Sequence, residues 1–369
     1  MTRFIQALLF SISCFSTAAP VLKVNRLDDH LTKPVPGMLR WALMQKGPRQ
    51  IEFEVSGTIK LRGRIKVSSG QLTVDGSTAP GMGICIRGGS LEFSGVSDVT
   101  LRYLRVRRGD ENLPRSGSRP AGSSGLDCLA FRDCQRVLVE HCSLSWSCDE
   151  LIAVIHCKEV RVRDCLLSEP LGDPSLHPYG DRHAFALLAS ASTLTVERCL
   201  FAHYIMRGPQ FEANDMRRKD NYTVRMTARD NVMFDYSHSG SRWTAGVEDH
   251  KPEAKGKHFV FTIKDNIYIP GKAGVPAIQR VGKHGKHPGV STVIENNTVL
   301  EKLDSLDQKP WLHAVGCSHW RDAVDARVMK DLMENRKRPM LKSQRKVGGW
   351  PELEPAGETI KLLFGTTAR

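Results

Sequence analysis

Beyond residue 19 this 369-residue chain has no stretch approaching the roughly 20 consecutive apolar residues of a membrane span, which excludes an ordinary membrane-crossing helix. It also lacks any C-x-x-C pair, so nothing in the spacing of its ten cysteines points to zinc. Aromatic residues are few, at 7%, but 40% of residues are hydrophobic, which suits a globular protein with a sizeable core. Acidic residues are the scarcer charge. Against 53 Lys and Arg stand 40 Asp and Glu, leaving a formal net charge of +13. A basic exterior points to a polyanionic partner: nucleic acid, a membrane surface or an acidic polysaccharide. Part of that charge is local, in Arg336-Lys337-Arg338 and Arg345-Lys346.

What the chain does have is a repeat. Two apolar residues one position apart are followed, three positions on, by Cys or Asn. The copies are Val137-x-Val139-x-x-Cys142, Val160-x-Val162-x-x-Cys165, Leu194-x-Val196-x-x-Cys199, Met226-x-Ala228-x-x-Asn231, Phe261-x-Ile263-x-x-Asn266 and Thr292-x-Ile294-x-x-Asn297. Successive copies are offset by 23, 34, 32, 35 and 31 residues. Two weaker copies precede them, at Leu72-x-Val74-x-x-Ser77 and Val99-x-Leu101-x-x-Leu104. A period of this size means stacked units that bury a face only against their neighbours, and the apolar spacing of two makes each unit a strand. Strands stacked in register about 4.8 Å apart form a parallel β-helix, with the Cys/Asn position as an internal ladder. The fold class is therefore all-β. The varying offsets are loops leaving one side of the coil, where a solenoid places its binding site.

Around this ladder the chain divides into three parts. Residues 1–19 read as a signal peptide: Arg3, an apolar run from Phe4 to Phe15, then small residues with cleavage after Ala18 or Ala19. The alternative is a buried first strand. A leader places the protein outside the cytoplasm, secreted or periplasmic, where nucleic acid recedes as a partner and acidic polysaccharide advances. Residues 20–305 form the β-helix, with Met38–Met44 as a short amphipathic helix capping its open end. Residues 306–369 form a tail carrying helical spacing over Arg321–Asn335 and packed on the coil. Glu111–Ser124, Leu167–His183 and Tyr236–His258 are expected loops. The pairs Cys134/Cys157 and Cys142/Cys165 each span 23 residues, one coil. They stack either as disulfides or as small buried thiols.

Long motifs carry a resemblance. Phe53-Glu54-Val55-Ser56-Gly57-Thr58-Ile59, Leu72-Thr73-Val74-Asp75-Gly76-Ser77-Thr78-Ala79-Pro80-Gly81 and Leu101-Arg102-Tyr103-Leu104-Arg105-Val106-Arg107-Arg108-Gly109-Asp110 are similar to segments of the pectate lyases of polysaccharide lyase family 1. So are the stretch from Val139 through Trp146 to Glu150, Phe201-Ala202-His203, Val324-Asp325-Ala326-Arg327-Val328 and Gly348-Gly349-Trp350-Pro351. The chain most resembles a compact secreted bacterial branch of that family. The resemblance implies a right-handed parallel β-helix, monomeric, that cleaves a uronic-acid polymer by elimination. It implies calcium bridging substrate and protein carboxylates, and an Arg that takes the C5 proton.

Each part has a physical demand. Calcium needs several hard oxygen ligands. The C5 proton is removable only if the developing charge is neutralised by metal and cations. An Arg, whose ordinary pKa exceeds about 12, serves as base only where cations favour its neutral form. Asp127 matches the second acid of the family's Asp-x-Asp element, with Gly125 in place of the first. Asp149 matches the first acid of Asp-Gly-x-x-Asp, with Ala153 in place of the second. Lying 22 residues apart, Asp127 and Asp149 are expected to stack on neighbouring rungs of a solvent-facing strand. Glu150 is a third ligand candidate, although alternation sends it to the other face. Arg207 matches the Arg-x-Pro element that carries the base, while Gln210 and Glu212 stand where a second Arg is usual. The family's cleft lysine has no counterpart. His183 is the first candidate to bind substrate, with His177 and His203 behind it.

Three functions fit: a calcium-dependent lyase on pectate, a lyase of the same mechanism on another uronate polymer, and a non-catalytic β-helix that binds acidic glycan. A hydrolase would need several clustered Asp residues and a Gly-His-Gly turn, and the sequence has neither.

Overall fold

The computed structural model describes residues 18–113, 125–213, 223–244, 258–281, 290–317 and 322–342. The leader through residue 17, most of the loop after Glu111, part of that after Tyr236 and the Gly-Gly-Trp-Pro motif lie outside them. Three parallel sheets wrap one core. The first runs from Val21–Val24 through Gln135–Glu140 to Val290–Glu295, and the second from Gly57–Lys60 through Ser143–Ser145 to Thr298–Val299. The third runs from Ile65–Val67 through Phe185–Ala191 to Ile278–Val281. Glu150–Arg163 is a single long strand that begins in the third sheet and ends in the first.

The repeat sets the register. Val137, Val160, Leu194, Met226, Phe261 and Thr292 are successive partners, as are Val139, Val162, Val196, Ala228, Ile263 and Ile294. Pairing these residues across rungs keeps the apolar columns inside the coil as far as Phe261 and Ile263, where a slip of one residue would turn them to solvent, and leaves Thr292 and Ile294 of the last rung exposed. After seven successive strands of the first sheet, beginning with the one that ends at Arg102, one residue adopts a left-handed backbone: Tyr103, His141, Asp164, Arg198, Asp230, Asp265 and Asn296, with φ between 49° and 57°. That residue bends the chain and drops the next one into the ladder, Leu104 first and a Cys or Asn after each of the other six. The asparagines bond along the axis, with Asn231 Oδ1 accepting from Cys199 N at 2.9 Å and Asn266 Oδ1 from Asn231 N at 2.9 Å. The thiols of the ladder stay unlinked. Nine of the ten cysteines lie among the described residues, and all nine are free and buried.

Helix α1 (Leu39–Met44) closes one end of the coil, burying Leu39, Ala42 and Leu43. Its Arg40 is also buried, paired with Asp29 at 2.7 Å and bonded to the carbonyls of Gly63 and Arg64. Helix α2 (Ala323–Met333) lies outside the second sheet, where Val328, Met329 and Leu332 cover Leu200, Phe234 and Ile269. A buried Arg107 ties it down through Asp322 and Asp325, each at 3.0 Å. The expected exposed loop at Leu167–His183 is different in the structure. It opens with the strand Leu166–Ser168, and Leu171, Asp173 and Leu176 are buried because the tail's Leu341 and Lys342 accept from Gly172 N and Asp173 N.

Candidate active site

The third sheet brings distant residues together. Leu129 pairs with Ile152, so Asp127 falls beside Glu150, and Glu150 N donates to Asp127 Oδ1 at 3.0 Å. Asp127, Asp149 and Glu150 each place one carboxylate oxygen within 4.8 Å of the others. All three are buried, at 1%, 3% and 3% exposure, which corrects the expectation of a solvent-facing pair. Glu150 corrects a second one. Strict alternation would have sent it away, but Glu150 opens its strand beside the bend at Cys148–Asp149, and its carboxylate joins the cluster.

Charge confined in this way is costly. Burial, followed by the neighbouring carboxylates of Glu150 and Asp149, pushes the Asp127 carboxyl well above the usual range. Burial and the charge of Asp149 push Glu150 up to about 7, against the opposing pull of Arg207.

Arg207 arrives from two coils further on. Glu150 pairs with Phe185, and Phe185 bridges to Met206, which sets Arg207 over both. Its Nη1 donates to Glu150 Oε1, and its Cζ lies 4.1 Å from the Phe185 ring centre. The turn that carries it is tightly specified. Arg207 has φ of 71°, a Cβ on Gly208 would meet Tyr204 Oη at 2.4 Å, and Ser241 Oγ bonds Gly208 O at 2.7 Å. Only glycine fits there.

The histidines separate. His177 is buried, with Nε2 3.3 Å from Asp149 Oδ2. Its Nδ1 accepts from Tyr179 N at 3.3 Å, so Nε2 carries the proton and His177 donates to Asp149. That arrangement makes His177 a support for the acid; its deep burial does not suit a substrate contact. His183 stacks on His177 with ring centres 3.4 Å apart and bonds Asp181 at 2.9 Å through Nδ1. Burial lowers the pKa of His183, and the His177 ring adds to this. His203 does not join the site. It sits on the second sheet under α2, between Asp235 at 2.7 Å and Asp331 at 3.3 Å, because its strand there turns it outward toward the tail.

The departures from the family pattern have local reasons. Gly125 has φ of 84° and its carbonyl accepts from Arg108 Nε at 2.8 Å, a backbone state that penalises an acid. Ala153 is buried in a column between Ala130 and Leu188. That column continues through Gln210 to Arg242, which puts a cation one rung beyond the missing one. Sequence reasoning missed Arg242, although the ladder offset of 32 residues leads from Gln210 to it.

A calcium ion binds oxygens at about 2.3–2.6 Å, so two oxygens sharing one lie no more than about 5 Å apart. The three carboxylates meet that limit, and their unfavourable burial is what a divalent cation would relieve.

No family model matches the chain. Among curated proteins, a probable pectate lyase C of Aspergillus flavus is 38% identical over 118 residues, covering 32% of this chain and 25% of that protein. The match thus spans about a quarter of that relative's length. Probable pectate lyase C of Neosartorya fischeri is 24% identical over 356 residues, covering 89% and 76%. Probable pectate lyase 13 of Arabidopsis thaliana is 23% identical over 314 residues, covering 84% and 50%. Of solved structures, the major allergen from cedar pollen superposes with a TM-score of 0.53 at 15% identity, over 85% of this chain and 88% of that one. These relatives are fungal and plant proteins, so the expected bacterial branch is not borne out.

Proposed function

We propose that this chain, a homologue of the pectate lyases built as a parallel β-helix, cleaves pectate by calcium-assisted β-elimination. The observation that carries the reading is the meeting of Arg207 with the buried cluster of Asp127, Asp149 and Glu150, across 57 residues of sequence. Those three carboxylates would hold the ion. Bound there, calcium would neutralise the substrate carboxylate and so acidify the adjoining C5 proton.

The protein's own residues then have distinct tasks. Arg207, one-fifth exposed, stands at the edge of the cluster as the group that takes the proton. His177 holds Asp149 in place. His183, stacked on His177, offers its ring edge to the sugar, and Arg242 supplies a cation beside Gln210. The net charge of +13 draws an acidic polymer to the protein.

Residues 1–19 would direct secretion, 20–305 form the lyase unit and 306–369 the tail, in a monomer. No helix among the described residues is long and apolar enough to cross a membrane. A second reading, a binder of acidic glycan without turnover, is favoured by Gly125, Ala153 and Gln210, each standing where the family has a charge.

The test is ultraviolet absorbance of unsaturated product from polygalacturonate at alkaline pH, with calcium and again with chelator. Calcium-dependent growth is expected. Folded protein that binds the polymer without forming product would overturn the lyase reading in favour of the binder.

A further inference from the structure

Glu150 belongs to two groups of neighbours. Its Oε1 accepts from Arg207 Nη1, while its carboxylate lies within 4.8 Å of those of Asp127 and Asp149. The backbone here is fixed, with Glu150 N on Asp127 Oδ1 and Phe185 paired on the next rung. Only the side chain is free to choose. The guanidinium is held loosely apart from this bond. Its Nε has no hydrogen-bond partner among the described residues, and its flat face rests on Phe185, a contact that tolerates sliding.

A cation bound by Asp127 and Asp149 needs further oxygens, and Gly125 and Ala153 supply no carboxylate. Among the described residues Glu150 is the carboxylate that remains within reach. It cannot serve a divalent cation and a guanidinium equally, because the two positive groups repel across it at a distance where little water screens them.

We infer that Glu150 is a shared carboxylate: it holds Arg207 until a divalent cation binds with Asp127 and Asp149, then turns to the cation and frees the guanidinium for substrate. The inference rests on the calcium-assisted reading above. Cation loading and release of Arg207 become one event, so Arg207 is presented to substrate only when the metal is in place.

The experiment is isothermal titration of the full chain with calcium alone, in wild type, Arg207→Gln, Glu150→Gln and the double variant, each with a circular-dichroism melt. Arg207→Gln should bind calcium at least about tenfold more tightly, since the competitor for Glu150 is gone. Glu150→Gln should bind more weakly, and in that background Arg207→Gln should gain no more than about twofold. Arg207→Lys keeps the charge and should bind as wild type does, which separates competition from any loosening of the fold. A full gain that persists in the Glu150→Gln background would show plain repulsion and overturn the sharing. Unchanged affinity in Arg207→Gln, with wild type binding, would overturn the sharing and leave the calcium reading standing. No binding to any variant would remove the calcium reading, and the sharing with it.

Discussion

Replacing Asn266 by Ala would cut the asparagine ladder at its middle rung. Asn266 is 1% exposed. Its Oδ1 accepts from Asn231 N at 2.9 Å and Asn231 Nδ2 at 3.0 Å, and its Nδ2 donates to Ala228 O at 3.1 Å and Asn297 Oδ1 at 2.9 Å. After truncation two of these neighbours keep a partner. Asn231 Nδ2 still donates to Val196 O, and Asn297 Oδ1 still accepts from the residue 266 backbone N–H. The Ala228 carbonyl also keeps its ladder bond to the facing strand, so the Asn231 N–H is the group stranded. It costs about 1–3 kcal/mol when buried unpaired, and the small cavity adds to it, so the loss should be about 2–4 kcal/mol. Cys199→Ala in the same column is the control. Its thiol bonds only weakly to the Glu197 and Val162 carbonyls, and the Cys199 N–H keeps Asn231 Oδ1. The expected loss there is about 1 kcal/mol. Guanidinium unfolding followed by circular dichroism compares the two. Equal losses, or a loss below about 1 kcal/mol for Asn266→Ala, would refute the claim that the ladder's bonds are buried and irreplaceable.

Arg207→Ala should abolish unsaturated product from polygalacturonate while shifting the melting temperature little; near-normal turnover would remove Arg207 from the base role. Asp127→Asn and Asp149→Asn should each raise the calcium needed for half-maximal activity by at least about tenfold, and an unchanged calcium response would show that neither is a ligand. Although burial alone would lower it, the bonds from Asp235 and Asp331 hold His203 above its ordinary 6.5. Its contribution to docking α2 is therefore fully present below 6.5 and lost as pH rises through the higher folded value. Hydrogen-exchange protection over 322–333, taken relative to the intrinsic rate at each pH, should fall across that window in wild type, and protection that does not change with pH would sink the assignment. Burial pushes the Cys85 thiol up to about 11 and Cys128 up to about 12, so native protein should resist thiol reagents and release nine described thiols only on unfolding. Fewer would reveal a disulfide.

Legibility followed the range of the interactions. The β-helix was readable because its core is periodic: Val137, Val160 and Leu194 state the register outright, and each rung needs only its neighbour. Helices α1 and α2 were readable from helical spacing of apolar residues. Asp127, Asp149 and Arg207 became candidates through motif resemblance, but the burial of the two acids was not legible. Glu150 was placed on the wrong face, because the alternation rule holds inside a strand and fails at its first residue, where the chain is still turning. His203 was assigned to the substrate side for want of any sequence sign that Asp331, 128 residues on, would return to cover it.

The sequence by itself determined the coil, its ladder and the residue types available for chemistry, since these rest on local spacing and neighbour-to-neighbour pairing. Tertiary structure alone decided that Arg207 reaches Glu150 and that His177 supports Asp149. Those contacts join separate rungs, and loops of differing length set which residues of one coil face those of the next.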